Sequence, residues 1–212
     1  SVLINKMLKH DKSMGVAFSN SVVLTNNGNV GIPINDLAFH HNPFAMSIQM
    51  IVVLFEILAV FTYGIVITGS ARLDLRTTII RFLRMPVFYC MLGGVICNVF
   101  QFEIPDFIWI PMNTASNGML SLALVAIGAQ IASVRAFRHA TTVLLSNAVR
   151  LLVSPLVAYG LISLFDLSGL TAQTLFLASA MPTSRNSAAL ALEYNNKPEF
   201  AAQAVLICTL FS

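Results

Sequence analysis

The chain has 212 residues, of which 57% are hydrophobic and 10% are charged. A soluble domain carries about 45–50% apolar and about 25% charged residues, so this composition predicts a membrane protein. The net charge of +3 comes from 12 scattered Lys and Arg residues, which excludes a nucleic-acid-binding module, and the three cysteines lie in apolar runs without CxxC spacing, which excludes a disulfide scaffold.

Long apolar runs follow one another along the chain. A bilayer core of about 30 Å needs roughly 20 apolar residues in a helix, and continuous runs of this length predict helices rather than barrel strands. Partial helices are predicted at 1–8 and 200–212, so we expect a piece of a longer protein, truncated at both ends. The predicted full spans cover residues 14–39, 44–68, 77–100, 107–133, 140–165 and 170–194.

Positive charges fall in every second connecting loop. Short cytoplasmic loops of membrane proteins accumulate Lys and Arg, so we expect these basic loops to be cytoplasmic. Alternate loops hold 10 of the 12 cations, namely Lys6, Lys9, Lys12, Arg72, Arg76, Arg81, Arg84, Arg135, Arg138 and Lys197.

The spans 14–39 and 170–194 share a pattern. Each has a mid-span proline, Pro33 or Pro182, flanked by small and amide residues and followed by a polar pair and a second proline. The two spans are five helices apart, so they cross the membrane in opposite directions. This spacing is typical of an inverted-topology repeat.

Both prolines predict a break in a membrane helix. Proline removes an amide donor, glycine weakens a helix, and asparagine side chains compete for backbone groups. Broken backbone at mid-membrane is tolerated only beside protein or a watery cavity, and half-helix N-termini attract anions. A single segment of this kind is also typical of a packing kink, but two at equivalent positions favour a substrate site.

Four motifs resemble those of the auxin efflux carrier family of bacterial permeases and plant carriers. They are N-x-G-x-x-G-I-P at 26–33, GAQIAS ending at Ser133, VRLLVSP at 149–155 and A-M-P-T-S-x-N at 180–186. The resemblance covers essentially the whole chain. It implies an all-α, multi-span helical bundle with inverted five-helix repeats and two crossing discontinuous helices, working by elevator-like alternating access in the bacterial inner membrane.

The family plan also implies a domain layout and a site. Residues 1–68 would form the end of the first repeat, 69–76 a cytoplasmic linker, and 77–212 the second repeat. In plant relatives a carboxylate substrate lies beside the crossover, near an Asn that corresponds to Asn26. The substrate-binding residues expected on this plan are Asn26, Asn27, Gly28, Gly31, Pro33, Asn147, Pro182, Arg185 and Asn186.

Arg185 follows Pro182 by three residues, at the expected helix break. Its guanidinium is suited to binding a carboxylate with two hydrogen bonds. The alternative is that Arg185 snorkels to the cytoplasmic interface or pairs with Glu193 or Glu199.

Three further polar residues lie inside predicted spans. Arg150 is close enough to the cytoplasmic side to snorkel, so a structural role is favoured, and Asn147 on nearly the same face is the better candidate to line the site. Glu56 lies near the centre of its span, where burial favours the neutral carboxyl and suits a proton carrier. A protonated or paired structural residue is the alternative for Glu56.

The sequence has no GxSxG, HExxH or GxxxxGK[ST] motif, so neither an enzyme nor a bound cofactor or metal is expected. We therefore predict a secondary transporter of a small organic anion, such as a mono- or dicarboxylate. Proton or sodium coupling and a homodimer are left open. The alternatives are a sodium-coupled symporter of the bile-acid type and a transporter-like membrane sensor.

Overall fold

The computed structural model describes residues 11–64, 80, 83–84, 86–132 and 140–212, and these are mostly helical. The following predictions lie outside the described residues: the partial helix at 1–8, the linker at 69–76, and the loop residues Lys6, Lys9, Arg72, Arg76, Arg81, Arg135 and Arg138.

The described residues 11–64 contain three helices and two π-helical turns. The Asp11 side chain caps the first helix by accepting from the Met14 N–H at 2.8 Å. The Asn42 side chain caps the third helix in the same way. The elements are α1 (Lys12–Val23), π1 (Asn27–Gly31), α2 (Ile32–Ala38), α3 (Pro43–Ala59) and π2 (Val60–Gly64).

The rest of the described chain continues as helices. The π-helical turn π3 joins α6 to α7 without a break. The elements are α4 (Pro86–Val99), α5 (Asp106–Ala132), α6 (Ala140–Ala148), π3 (Val149–Val153), α7 (Ser154–Leu164), α8 (Gly169–Ser179), α9 (Arg185–Glu193) and α10 (Pro198–Phe211).

Both spans that carry a central proline are interrupted. The second is broken at 180–184, around Pro182, as predicted. The predicted break at Pro33 is wrong in position, because the first span is broken at 24–26 and Pro33 lies in the first turn of α2. The wider turn π1 runs directly into α2, and the Ile32 N–H donates to the Asn27 carbonyl five residues back. The α-helical i−4 pattern, with which a proline conflicts, therefore does not yet apply at the residue before Pro33.

The two interrupted helices end in similar turns. His40 and His41 follow α2 with φ of 51° and 60°, and Asn195 and Lys197 follow α9 with φ of 50° and 51°. Each turn leads into a helix that begins at a proline. Both turns therefore contain residues of positive φ before a helix that begins at a proline.

Helices α1, α6 and α10 pack around one apolar cluster. Phe18 and Phe200 are its largest buried side chains, and Val143 joins them from α6. Helix α3 packs against α2 and α8. Both interrupted helices are therefore in contact with this continuous helix.

In the described part of the chain, two helices are long and apolar enough to cross a membrane: Pro43–Gly64, with 22 residues, and Ala140–Leu164, with 25 residues. Six full spans were predicted. The two interrupted spans are not among the long helices, because each of their halves is too short to cross a membrane by itself. Large apolar side chains such as Phe55, Leu122 and Leu156 are more than two-thirds exposed. Such outward apolar faces suit contact with lipid.

Candidate functional site

The two interruptions lie against each other. Residues 24–26 and 180–184, which we call the junction, pair as a short antiparallel bridge. The Asn26 N–H donates to the Pro182 carbonyl at 2.8 Å, and a second 2.8 Å hydrogen bond runs from the Ser184 N–H back to the first segment. These bonds satisfy backbone groups whose exposure to lipid would be costly.

Thr183 ties the junction to its surroundings and is fully buried. Its hydroxyl donates to the Ser21 carbonyl of α1 at 2.7 Å. Its N–H donates to the Cys208 Sγ of α10 at 3.3 Å. The second interruption is thereby fixed to the first unit and to the last helix.

Glu56 of α3 reaches the beginnings of both second half-helices. Its Oε2 accepts from the Asn27 N–H, the first residue of π1, at 2.8 Å. Its Oε1 accepts from the Ser184 hydroxyl, at the N-cap of α9, at 3.3 Å. A carboxylate is stabilised at such a position because helix N-termini carry partial positive charge.

Arg150 of π3 reaches the ends of both first half-helices. Its Nε donates to the Met181 carbonyl at 3.0 Å and its Nη2 to the Ser179 carbonyl, at the end of α8, at 3.1 Å. Nη1 donates to the Val22 carbonyl of α1 at 3.5 Å and to Ser154 Oγ at 3.0 Å. Arg150 was expected to snorkel to the cytoplasmic side, but its side chain is buried, with 4% exposure. The backbone carbonyls at the two breaks, which lack helical partners, bind its guanidinium inside the protein.

A cavity of about 410 Å³ borders the junction between α3, α7 and α8. The described residues of its walls are mostly apolar, and the charged ones among them are Glu56 and Arg150. Apolar pockets with a few oriented polar groups are typical ligand sites. The lining includes Leu24, Asn27, Val52, Phe55, Glu56, Arg150, Ser154, Val157, Leu161 and Leu175.

Gln49 of α3 binds Asn27 of π1, which lines the cavity. The buried Gln49 Nε2 donates to the Asn27 carbonyl at 3.0 Å and to its Oδ1 at 3.3 Å. Gly31 makes this contact feasible, because a Cβ there would lie 2.4 Å from Gln49 Nε2. At Gly28, by contrast, a Cβ would meet no heavy atom within 4 Å.

Asn147 faces the apolar cluster and α10 instead of the cavity. In the amide orientation that satisfies both groups, it donates to the Ala204 carbonyl at 3.2 Å and accepts from the Cys208 N–H at 3.1 Å. It is 4% exposed and joins α6 to α10. The structure therefore separates Asn147 from Asn27 and Glu56, which line the cavity.

The other predicted residues are not among those that line the cavity. Arg185 and Asn186 are exposed in the first turn of α9, next to Ser184. Asn26 is 2% exposed, and its Oδ1 accepts from Asn29 Nδ2 at 3.4 Å. Pro33 and Pro182 are buried in the interrupted helices.

Sequence reasoning missed the contributions of Gln49, Thr183 and Ser184 and gave Arg150 only a peripheral place. All four are polar residues within or beside apolar helices, which was the available signal. Their partners lie far away along the chain: Arg150 and the Val22 carbonyl are 128 residues apart. Pattern alone does not identify such pairs.

The two interrupted helices meet beside a cavity, and the outer faces of the helices are apolar enough for contact with lipid. These features define a helical membrane protein with discontinuous helices. Residues 70–212 match the family described as membrane transport protein. The chain belongs to this family, the auxin efflux carrier family, and is a membrane transport protein. No curated protein matches the chain. The matched residues include the second interrupted helix, and the first lies before them.

Proposed function

We propose that the protein is a secondary transporter of a small organic anion, a carboxylate with an apolar body, which binds in the cavity at the junction. The observation that carries the proposal is the cavity itself, which borders both helix breaks and holds the buried guanidinium of Arg150. Its apolar walls favour the hydrocarbon part of a substrate. Membership of a transport family supports movement of this substrate across the membrane.

We further propose that the two interrupted units are inverted repeats and that the junction moves as one body against the remaining helices. The similar turns after α2 and α9 and the antiparallel pairing of the breaks support this assignment. Backbone hydrogen bonds join the two units at the junction, so both breaks would move together in an elevator-like cycle. The basic loops would face the cytoplasm of a bacterial cell.

Transport in proteoliposomes tests the site. The probes are radiolabelled butyrate, benzoate and succinate. Ala158→Phe fills the cavity from α7 and is expected to abolish flux of any carboxylate that the wild type carries. The control Leu156→Phe places the same ring on the 69% exposed outer face of α7 and should leave flux unchanged. Equal flux in the two variants would contradict the site, and no flux of any probe in the wild type would contradict the substrate class.

Sodium-coupled symport is a second candidate function. In the described chain the buried oxygens Gln49 Oε1 and Asn35 Oδ1 have no hydrogen-bond partner, and hard cations prefer oxygen ligands. Replacing sodium by choline on both sides of the membrane distinguishes the candidates. Loss of flux in choline would favour sodium coupling, and unchanged flux would exclude it.

A further inference from the structure

Glu56 occupies the positions at which an anionic substrate would bind most favourably. Its two carboxylate oxygens accept hydrogen bonds at the beginnings of both second half-helices, from the Asn27 N–H at 2.8 Å and from the Ser184 hydroxyl at 3.3 Å. Glu56 is partly buried and also lines the cavity. A second carboxylate would compete with Glu56 for the same donors and would be repelled by its charge.

We propose that Glu56 is an internal competitor of the transported anion, and that the anion binds only after Glu56 has taken up a proton. The inference rests on the proposed function, because it takes the cargo to be a carboxylate. Protonation removes the negative charge of Glu56 and weakens its hydrogen bonds to the Asn27 and Ser184 donors, so that an anion can displace it from them. One proton would then enter the protein with each anion that binds.

The charges around the cavity agree with this order of events. Among the described residues of the cavity lining, Arg150 is the other charged one, so a charged Glu56 balances it and a neutral Glu56 leaves one positive charge for the incoming anion. The elements packed against α3 contribute Asp36 of α2, which binds His41 at 2.7 Å, and Tyr63 of π2, whereas π1 and α8 carry no titratable side chain. Helix α9 adds Arg185 and Glu193, both outside the lining.

Calorimetry of the purified protein with benzoate, in two buffers of different ionisation enthalpy, measures the proton directly. In the wild type we expect uptake of about one proton per benzoate and an affinity that falls by up to about tenfold per pH unit once Glu56 is ionised in the free protein. Glu56→Gln cannot ionise, so its affinity should be independent of pH and its proton uptake absent. The control Glu103→Gln, at an exposed residue outside the junction, should behave as the wild type does.

Proton uptake that persists in a folded Glu56→Gln protein would overturn the inference. If that variant fails to fold, wild-type binding without proton uptake overturns it. If neither the wild type nor Glu56→Gln binds any carboxylate of the transport panel, the proposed substrate class fails.

Hydrogen exchange without ligand then tests whether protonation of Glu56 weakens its hydrogen bond to the Asn27 amide. Acid should lower the protection of the Asn27 amide in the wild type but not in Glu56→Gln, after correction for intrinsic rates. Equal protection profiles in the two proteins would overturn the role of Glu56.

Discussion

The Glu56 carboxylate and the Arg150 guanidinium line one cavity and bind opposite ends of the interrupted helices. Glu56 binds where the second half-helices begin, and Arg150 binds where the first half-helices end. Each charge therefore lies at the helix termini whose partial charge is opposite to its own. Four helix ends that would be costly in a bilayer are stabilised by two side chains.

Replacing Arg150 with Met should lower the free energy of unfolding by about 3 kcal/mol. The change leaves the Ser179 and Met181 carbonyls buried without their donors. Arg150→Lys should recover part of this loss, because one ammonium group does not reproduce the planar arrangement of the guanidinium donors. Thermal unfolding in detergent measures the effect. Arg185→Met removes an exposed guanidinium and serves as the control. Equal melting temperatures for Arg150→Met and Arg185→Met would contradict the contacts of Arg150 at the junction.

Two glycines of π1 should respond differently to alanine. Gly31→Ala places a methyl group 2.4 Å from Gln49 Nε2 and should cost about 1–3 kcal/mol by displacing the Gln49 bonds to Asn27. Gly28→Ala meets no atom within 4 Å and should be neutral or stabilising by up to about 1 kcal/mol, because alanine favours helical backbone. Thermal unfolding of the two variants measures the difference in stability. A larger loss of stability in Gly28→Ala than in Gly31→Ala would contradict the packing of Gly31 against Gln49.

Thr183→Val should destabilise the protein by about 1–2 kcal/mol, because it leaves the buried Ser21 carbonyl without its donor from the other unit. Thr174→Val is the matched control. Thr174 is equally buried, but its hydroxyl bonds to Leu170 of its own helix, so a loss below about 0.5 kcal/mol is expected. Denaturant unfolding measures both, and similar losses would contradict a special role for Thr183.

The antiparallel pairing at the junction predicts a disulfide. Thr25 and Thr183 form a non-hydrogen-bonded pair, for which the Cα separation is about 4.5 Å, within the range of about 4.4 to about 6.8 Å that disulfides span. Thr25→Cys with Thr183→Cys should therefore cross-link under mild oxidation, in a background that carries Ser at Cys90, Cys97 and Cys208.

Cleavage at a protease site inserted in the exposed residues 101–105, followed by non-reducing electrophoresis, detects the bond. The control pair is Thr25→Cys with Ser168→Cys, at the far end of α8, about 16 Å along that helix from the junction. Cross-linking of the control pair alone would contradict the pairing of the two breaks.

The sequence was most informative where the signal is local. The break at Pro182 follows from a proline among small and amide residues, and the structure has it there. The first break lies at 24–26 but was expected near Pro33, because periodicity does not reveal that a π-helical turn lets a proline continue the helix. Family membership was recognisable because short motifs survive in the residues around both breaks.

The site residues were harder to predict for a physical reason. Glu56 was singled out because an isolated carboxyl in an apolar span is costly. The importance of Arg150 was missed because its acceptors are backbone carbonyls, which every residue possesses. Asn147 was expected in the site from its spacing to Arg150, but a helix face is wide enough for two neighbours to contact different partners.

The junction is held by hydrogen bonds between main-chain atoms. Apart from proline, every amino acid supplies the same N–H and carbonyl groups, so mutation at these positions seldom removes a bond. Apolar side chains of the lining, such as Val52, Val157 and Leu161, take no part in this pairing and can change without removing its bonds. The apolar lining of the cavity can therefore change during evolution while the main-chain pairing of the two breaks stays the same.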